Sequence, residues 1–377
     1  MMPRYRLIDA DCHTLEPPDL WKKWLPAKFQ DRAPRLVKDA DGGDAWLLEP
    51  SRPPMTIGLV TTPGKRFEEF KWTGSTYETI RKSCFDGHAR LEDMDFDGVD
   101  AECLYPSQRT MYYFMGNEDR DFHRSGIEAY NNWLTREFCA ANPDRLFGLA
   151  QLPNLGVEAA IDELRRCREM GCRGAIISAW PSGGDDLSPD DDPFWAAAQD
   201  MRMPISIHIN VHRKRSPIAM PPGVAAIAAM AFAGMINFPP IMAELIMSGT
   251  FERFPGLMIV GTEVEVGWIP EALEQLDNFY WRNRTWAGLR LKELPSEYFH
   301  QHFLCTFIKD RVGVKNRYDV GVKNMAWSTD FPHHGNDWPY SRKVVAELFE
   351  GVPDNERYLI TAGNVARLYG IEDREGS

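Results

Sequence analysis

Three short groups, far apart in the chain, carry residue types that bind metals or move protons: Asp11-Cys12-His13, His208 with His212, and Asp330 with His333 and His334. A fourth group, Glu263 and Glu265, adds carboxylates. Each group ends or just follows an apolar run that reads as a buried strand. Alternation along a strand points Asp11 and His13 the same way and Cys12 the opposite way. That pair is either half of a metal site or a capping Asp beside a hydrogen-bonded His. His208 interrupts Ile205-Ser206-Ile207 and Ile209, where an unpaired imidazole is costly, so a ligand or proton-transfer role is expected of it. His212 shares the face of His208 if the strand persists, and otherwise lines the mouth from a loop. Glu263 follows Met258-Ile259-Val260-Gly261-Thr262, and a carboxylate there needs a metal or a proton to share. Glu265 reads either as its same-face neighbour or, by preference, as a carboxylate at a helix N-terminus. Asp330 follows Met325-Ala326-Trp327 and suits a ligand or a proton-accepting base. His333 and His334 lie on the loop beyond, where contact with substrate is expected.

The elements that must carry these residues recur along the chain. Strand-like runs are read at residues 6–11, 99–105, 146–152, 172–178, 204–210, 257–263, 302–307 and 324–330. Most are separated by helix-sized segments. In residues 157–170, for example, Ala160, Leu164 and Cys167 form an apolar stripe beside Glu163, Arg165 and Arg166. Alternating β and α segments imply a parallel sheet, and eight such units imply a closed (β/α)8 TIM barrel, whose chemistry sits at the C-terminal ends of the strands. The fold class expected is α/β. Residues 1–377 read as one domain, with insertions at about 14–80 and 211–240 forming lids over that face.

Composition sets bounds on partners. The formal net charge of −12 argues against nucleic acid and anionic membranes as partners. The apolar stretch from Val224 to Met235 is too short to span a bilayer and reads as a buried helix or a lid. Seven dispersed cysteines without a CxxC pair read as reduced thiols, mostly in the core. The N-terminus, Met-Met-Pro-Arg-Tyr-Arg-Leu-Ile-Asp, lacks a basic region followed by an apolar signal core. A cytoplasmic enzyme with a small-molecule substrate is expected.

Several longer patterns carry a resemblance. They are Asp9-Ala-Asp-Cys-His13 with Glu16-Pro-Pro-Asp-Leu-Trp21, Asp93-Met-Asp-Phe-Asp-Gly-Val99, Tyr130-Asn-Asn-Trp133 and Pro143-Asp-Arg145. Gly267-Trp-Ile-Pro270, Thr329-Asp-Phe-Pro-His333, and Gly363-Asn364 with Arg367-Leu-Tyr-Gly370 follow in order. Together they make the chain resemble the amidohydrolase superfamily, in the branch that contains aminocarboxymuconate-semialdehyde decarboxylase. The resemblance spans nearly the whole chain and implies a distorted barrel with a divalent metal at the strand ends. It places metal ligands on Asp11, His13, His208 and Asp330. The chain departs from the decarboxylase pattern twice: Asp11 stands where His or Glu is familiar, and Glu263 stands where a catalytic His is found.

Those departures leave distinct expectations. The first is a metal-dependent hydrolase or non-oxidative decarboxylase of a small carboxylic acid or ring compound, with Asp330, Glu263 and His333 as catalytic groups. Its metal is Zn or Mn, since the donors are nitrogen and oxygen. The alternative is a dinuclear Fe or Mn–Fe oxygenase component on the same barrel, working with a reductase. Asp11, His13, His208, Glu263 and Asp330, with His212 and His333, supply enough donors for two ions. A third reading is a silent subunit supporting an active paralogue. The family resemblance suggests a homodimer, and a hetero-oligomer with a paralogue remains open.

Overall fold

The protein is described by a computed structural model covering residues 6–107, 109–211 and 224–371. Eight parallel strands form its centre: β1 (Ile8–Thr14), β5 (Ala101–Pro106), β6 (Leu146–Gln151), β7 (Gly174–Ile176), β8 (Ile205–His208), β9 (Ile259–Thr262), β10 (Phe303–Phe307) and β11 (Met325–Trp327). They pair in that order. Two backbone bonds join the edges, from Asp330 N–H to the Asp11 carbonyl (2.9 Å) and from His13 N–H to the Phe331 carbonyl (2.6 Å). The result is the expected (β/α)8 barrel. Its strands are buried along their length, as strands covered on both faces must be, and read as near-continuous apolar runs.

Two apolar clusters divide the two faces of the barrel wall. Ile8, Ala10, Cys103, Tyr105, Leu149, Ile176 and Leu304 pack together inside, with Val365, Ala366 and Tyr369 from the end of the chain. Cys12, Leu104, Ile205, Ile207 and Cys305 pack outward, among the helices. All seven cysteines are buried and free.

The first strand breaks strict alternation. Asp9 pairs with Glu102, yet Cys12 pairs with Leu104, so β1 holds one extra residue between those points. Without that bulge, Cys12 would follow Ile8 and Ala10 inward, and Asp11 and His13 would point out. The bulge exchanges them. Cys12 joins the outer core, and Asp11 and His13 turn into the barrel.

Between β1 and β5 lies the segment expected as the first insertion. It contains a small antiparallel sheet of β2 (Arg35–Lys38), β3 (Asp44–Leu47) and β4 (Met55–Thr56). Asp41-Gly42-Gly43 supplies the turn of its first hairpin, with Gly42 at φ 80°. The stretch from Val224 is helical, over Val224–Met230 and Ala233–Met247, but its start is not buried. Val224, Met230, Phe232, Met235 and Ile236 are all exposed, which corrects the buried-helix expectation. No helix among the described residues is long and apolar enough to cross a membrane.

One buried ion pair braces the wall behind β1. Arg90, on the helix Gly87–Asp97, pairs with Glu102 of β5 at 2.6 Å and donates to the His13 carbonyl at 2.6 Å. Both side chains are buried, so removing one partner leaves an uncompensated charge. Arg90→Met is expected to destabilise the fold by about 3–5 kcal/mol. Arg90→Met with Glu102→Gln should recover much of that loss in denaturant titration. Equal midpoints for wild type and Arg90→Met would contradict this role for the pair.

Candidate metal centre

Most of the singled-out residues meet at the C-terminal rim of the barrel. His208 is the last residue of β8, and Glu263 is the first after β9. Asp330 lies beyond the end of β11 rather than on it, because that strand stops at Trp327. His212 lies outside the described residues. His334 is exposed, whereas His333 stacks on the His13 ring at 4.1 Å.

The distances draw one cluster. His13 Nε2 is 3.5 Å from Asp11 Oδ1, 3.2 Å from Asp330 Oδ1 and 3.1 Å from His208 Nε2. His208 Nε2 is 3.5 Å from Asp11 Oδ1, and its Nδ1 is 3.7 Å from Glu263 Oε2. His333 Nδ1 is 2.9 Å from Asp330 Oδ1. Three groups have donor atoms within 4.8 Å of one another: Asp11, His13 and His208; His13, Asp330 and His333; Asp11, Glu263 and Asp330. Any two of these groups share one residue.

Hydrogen-bond chemistry tests whether a cation fits here. His13 Nδ1 lies 2.9 Å from the Pro106 carbonyl, which only accepts. The neutral ring therefore carries its proton on Nδ1 and turns a bare Nε2 lone pair toward two carboxylates and a second imidazole. Both Asp11 oxygens are buried and have no hydrogen-bond donor among the described residues. Protonating His13 would serve Asp330 and leave Asp11 bare. A divalent cation satisfies the whole set. The donors are nitrogen and oxygen only, which suits Mn, Fe or Zn, and Cys12 points away.

The electrostatics follow from crowding. Burial works against the Asp330 carboxylate, but His333 and His13, when protonated, outweigh it and hold the group below the usual carboxylate range. Burial, Asp330 and Asp11 push Glu263 well up, although its side chain is 32% exposed. Burial and Asp310 push Glu265 up to about 7.

Strained backbone aims several of these groups. Ile209, Glu263, Glu265 and Asp330 all have positive φ, between 55° and 64°. Such a conformation in a residue other than glycine costs about 1–3 kcal/mol and persists only when its surroundings hold it. Here the holders are visible. Glu263 N–H donates to Thr306 Oγ1 (2.8 Å), and Val266 N–H donates to Asp310 Oδ2 (2.8 Å). The sequence favours Glu265 as a carboxylate at the N-terminus of the following helix, and its Oε1 accepts from Ile308 N–H at 3.4 Å. Below the cluster, Thr262 Oγ1 donates to Tyr105 Oη (3.0 Å), which also bonds Ser206 Oγ (2.9 Å).

Sequence reading missed Arg90, Tyr105, Thr306 and Asp310. Tyr105 and Thr306 lie in strands that were recognised, two residues beyond interior neighbours, and that spacing was the available signal. Nothing in the sequence pointed to Arg90 or Asp310.

Comparison with known proteins adds relatives. The chain is 29% identical over 266 residues to a gamma-resorcylate decarboxylase of Rhodococcus jostii, covering 64% of this chain and 75% of that one. It is 22% identical over 309 residues to the 2-amino-3-carboxymuconate-6-semialdehyde decarboxylase of Dictyostelium discoideum, covering 79% and 80%. Among solved structures, the 5-carboxyvanillate decarboxylase of Sphingomonas paucimobilis shares the fold at TM-score 0.64 and 22% identity, covering 97% of this chain and 99% of that one. A dihydroxybenzoic acid decarboxylase of Polaromonas sp. JS666, solved with bound manganese and 2-nitroresorcinol, matches at TM-score 0.64 and 18% identity, with 97% of each chain covered. A match to the amidohydrolase family runs from residue 8 to residue 371, and the chain belongs to that family.

Proposed function

We propose that this chain is a metal-dependent, non-oxidative decarboxylase of a small aromatic carboxylic acid. The observation that carries the reading is the bare, buried Asp11 carboxylate facing His13 and His208. The decarboxylase names of its relatives favour this chemistry over hydrolysis. Asp11, His13, His208 and Asp330 are the proposed ligands, and manganese or zinc the ion. Because any two of the three donor groups share a residue, we read one ion among the four proposed ligands. The two-ion oxygenase alternative gains no support from the relatives.

A divalent ion at this centre supplies Lewis acidity and neutralises the substrate's carboxylate. The protein's own groups handle the proton. Glu263 is partly exposed, so it can reload a proton from solvent. In this reading its carboxyl group protonates the ring carbon. The bond to the carboxylate then breaks, CO2 leaves, and the bonding electron pair stays with the ring. His333, held against Asp330 and stacked on His13, orients the substrate's polar groups. A homodimer in the cytoplasm is part of the proposal; the free, buried cysteines accord with a reducing compartment.

Metal content tests the ligands. Protein purified without chelator should hold one Mn or Zn per chain. His208→Ala should lose it, while His123→Ala should keep it, because His123 is occupied elsewhere, accepting from Asn154 N–H at 3.2 Å. Equal retention by the two variants rejects the ligand assignment. Turnover tests the chemistry. With manganese, 2,6-dihydroxybenzoate or 5-carboxyvanillate should release CO2 without O2, and in D2O the vacated ring carbon should carry deuterium. Glu263→Gln should lower kcat by about 10²–10⁴-fold while retaining metal. An O2-dependent product, or full activity in that variant, sinks the assigned chemistry.

A further inference from the structure

Asp9 belongs to none of the donor groups, yet its carboxylate touches both segments that supply the aspartates. It is buried, and its Oδ1 accepts from Asp11 N–H at 3.3 Å, two residues ahead in its own strand. That short-range bond spans the extra residue of β1, as an Asp side chain does when it stabilises a local turn. The same oxygen accepts from Thr329 N–H at 2.9 Å, and Oδ2 accepts from the Thr329 hydroxyl. Thr329 Oγ1 in turn accepts from Phe331 N–H at 3.1 Å. Asp330 is therefore gripped on both sides, and its backbone sits at φ 60° with its N–H on the Asp11 carbonyl at 2.9 Å.

We propose that Asp9, acting through Thr329, is a positioning residue that sets the spacing between Asp11 and Asp330; this role rests on the metal-centre reading above. The two aspartates come from opposite ends of the sequence and from the two edges of the sheet. The main-chain bonds at that seam fix the strands but not the angle at which each carboxylate enters the site. Asp9 couples both. It holds the bulge that turns Asp11 inward and the hydroxyl that shapes the turn at Asp330. Removing a group that orients a ligand typically weakens metal binding without abolishing it.

The test is manganese affinity of the metal-stripped full-length chain, which reads the site without requiring turnover. Asp9→Ala and Thr329→Val should each weaken binding by about 10- to 100-fold, with circular dichroism unchanged. Asp9→Asn keeps an acceptor oxygen for both backbone N–H groups and should retain most of the affinity. The double variant Asp9→Ala/Thr329→Val should bind about as well as either single one, because both remove one latch. Wild-type affinity in the folded single variants overturns the proposal, and so do losses that multiply in the double. If Asp9→Ala does not fold, Thr329→Val alone decides: weakened binding supports the role, and wild-type affinity overturns it. A wild-type chain that binds no manganese overturns the metal-centre reading, and this role with it.

Discussion

Two carboxylates and two imidazoles whose lone pairs face one another in a water-poor pocket are mutually repulsive unless positive charge lies among them. That constraint organises the rim of this barrel. A neutral His13 ring gives its one proton to the Pro106 carbonyl, and its other nitrogen then adds a lone pair to the set. Asp11 has no donor at all among the described residues. A fold that buries such a set loses stability by it, and gains a binding site whose groups are already aimed. Arg90 sits just behind, donating to the His13 carbonyl and paired with Glu102, and so braces the strand carrying these donors.

The aiming itself is done by irregular backbone. One extra residue in β1 decides which side chains enter the barrel. Positive φ at Ile209, Glu263, Glu265 and Asp330 turns the chain sharply as it leaves three regions of the rim. Regular strands would carry their side chains in fixed alternation and could not bring Asp11, Glu263 and Asp330 to one point. Thr306, Asp310 and Asp9 supply the acceptors that hold these turns. Strain at the rim is thus balanced by hydrogen bonds one layer below.

Glu263 gives the site its particular character. The family resemblance places a histidine at this position, and a carboxyl group there responds differently to its surroundings. Burial, Asp330 and Asp11 all favour its neutral, proton-bearing form, whereas on an imidazole burial would favour the neutral form and the carboxylates the charged one. Carboxyl groups are also ordinary metal donors, which is why sequence alone left one ion and two ions both open.

The barrel was legible because buried parallel strands leave a coarse signal: eight apolar runs, each flanked by helix-sized segments, are hard to read any other way. The chemistry-bearing residues were legible for a related reason, since His208 and Glu263 are costly where they stand unless used. Local alternation correctly paired Asp11 with His13. It could not say which way the pair faced, because that depends on a bulge set by the partner strand. The tertiary structure also decided the surroundings of the segment from Val224, where apolar composition left a buried helix or a lid open and Val224, Met230, Phe232 and Met235 are exposed. Arg90, Asp310 and Thr306 act across pairs of elements distant in the chain. Hydrophobic periodicity is a property of one segment and survives in the sequence; a hydrogen bond between segments leaves no trace there until the fold brings them together.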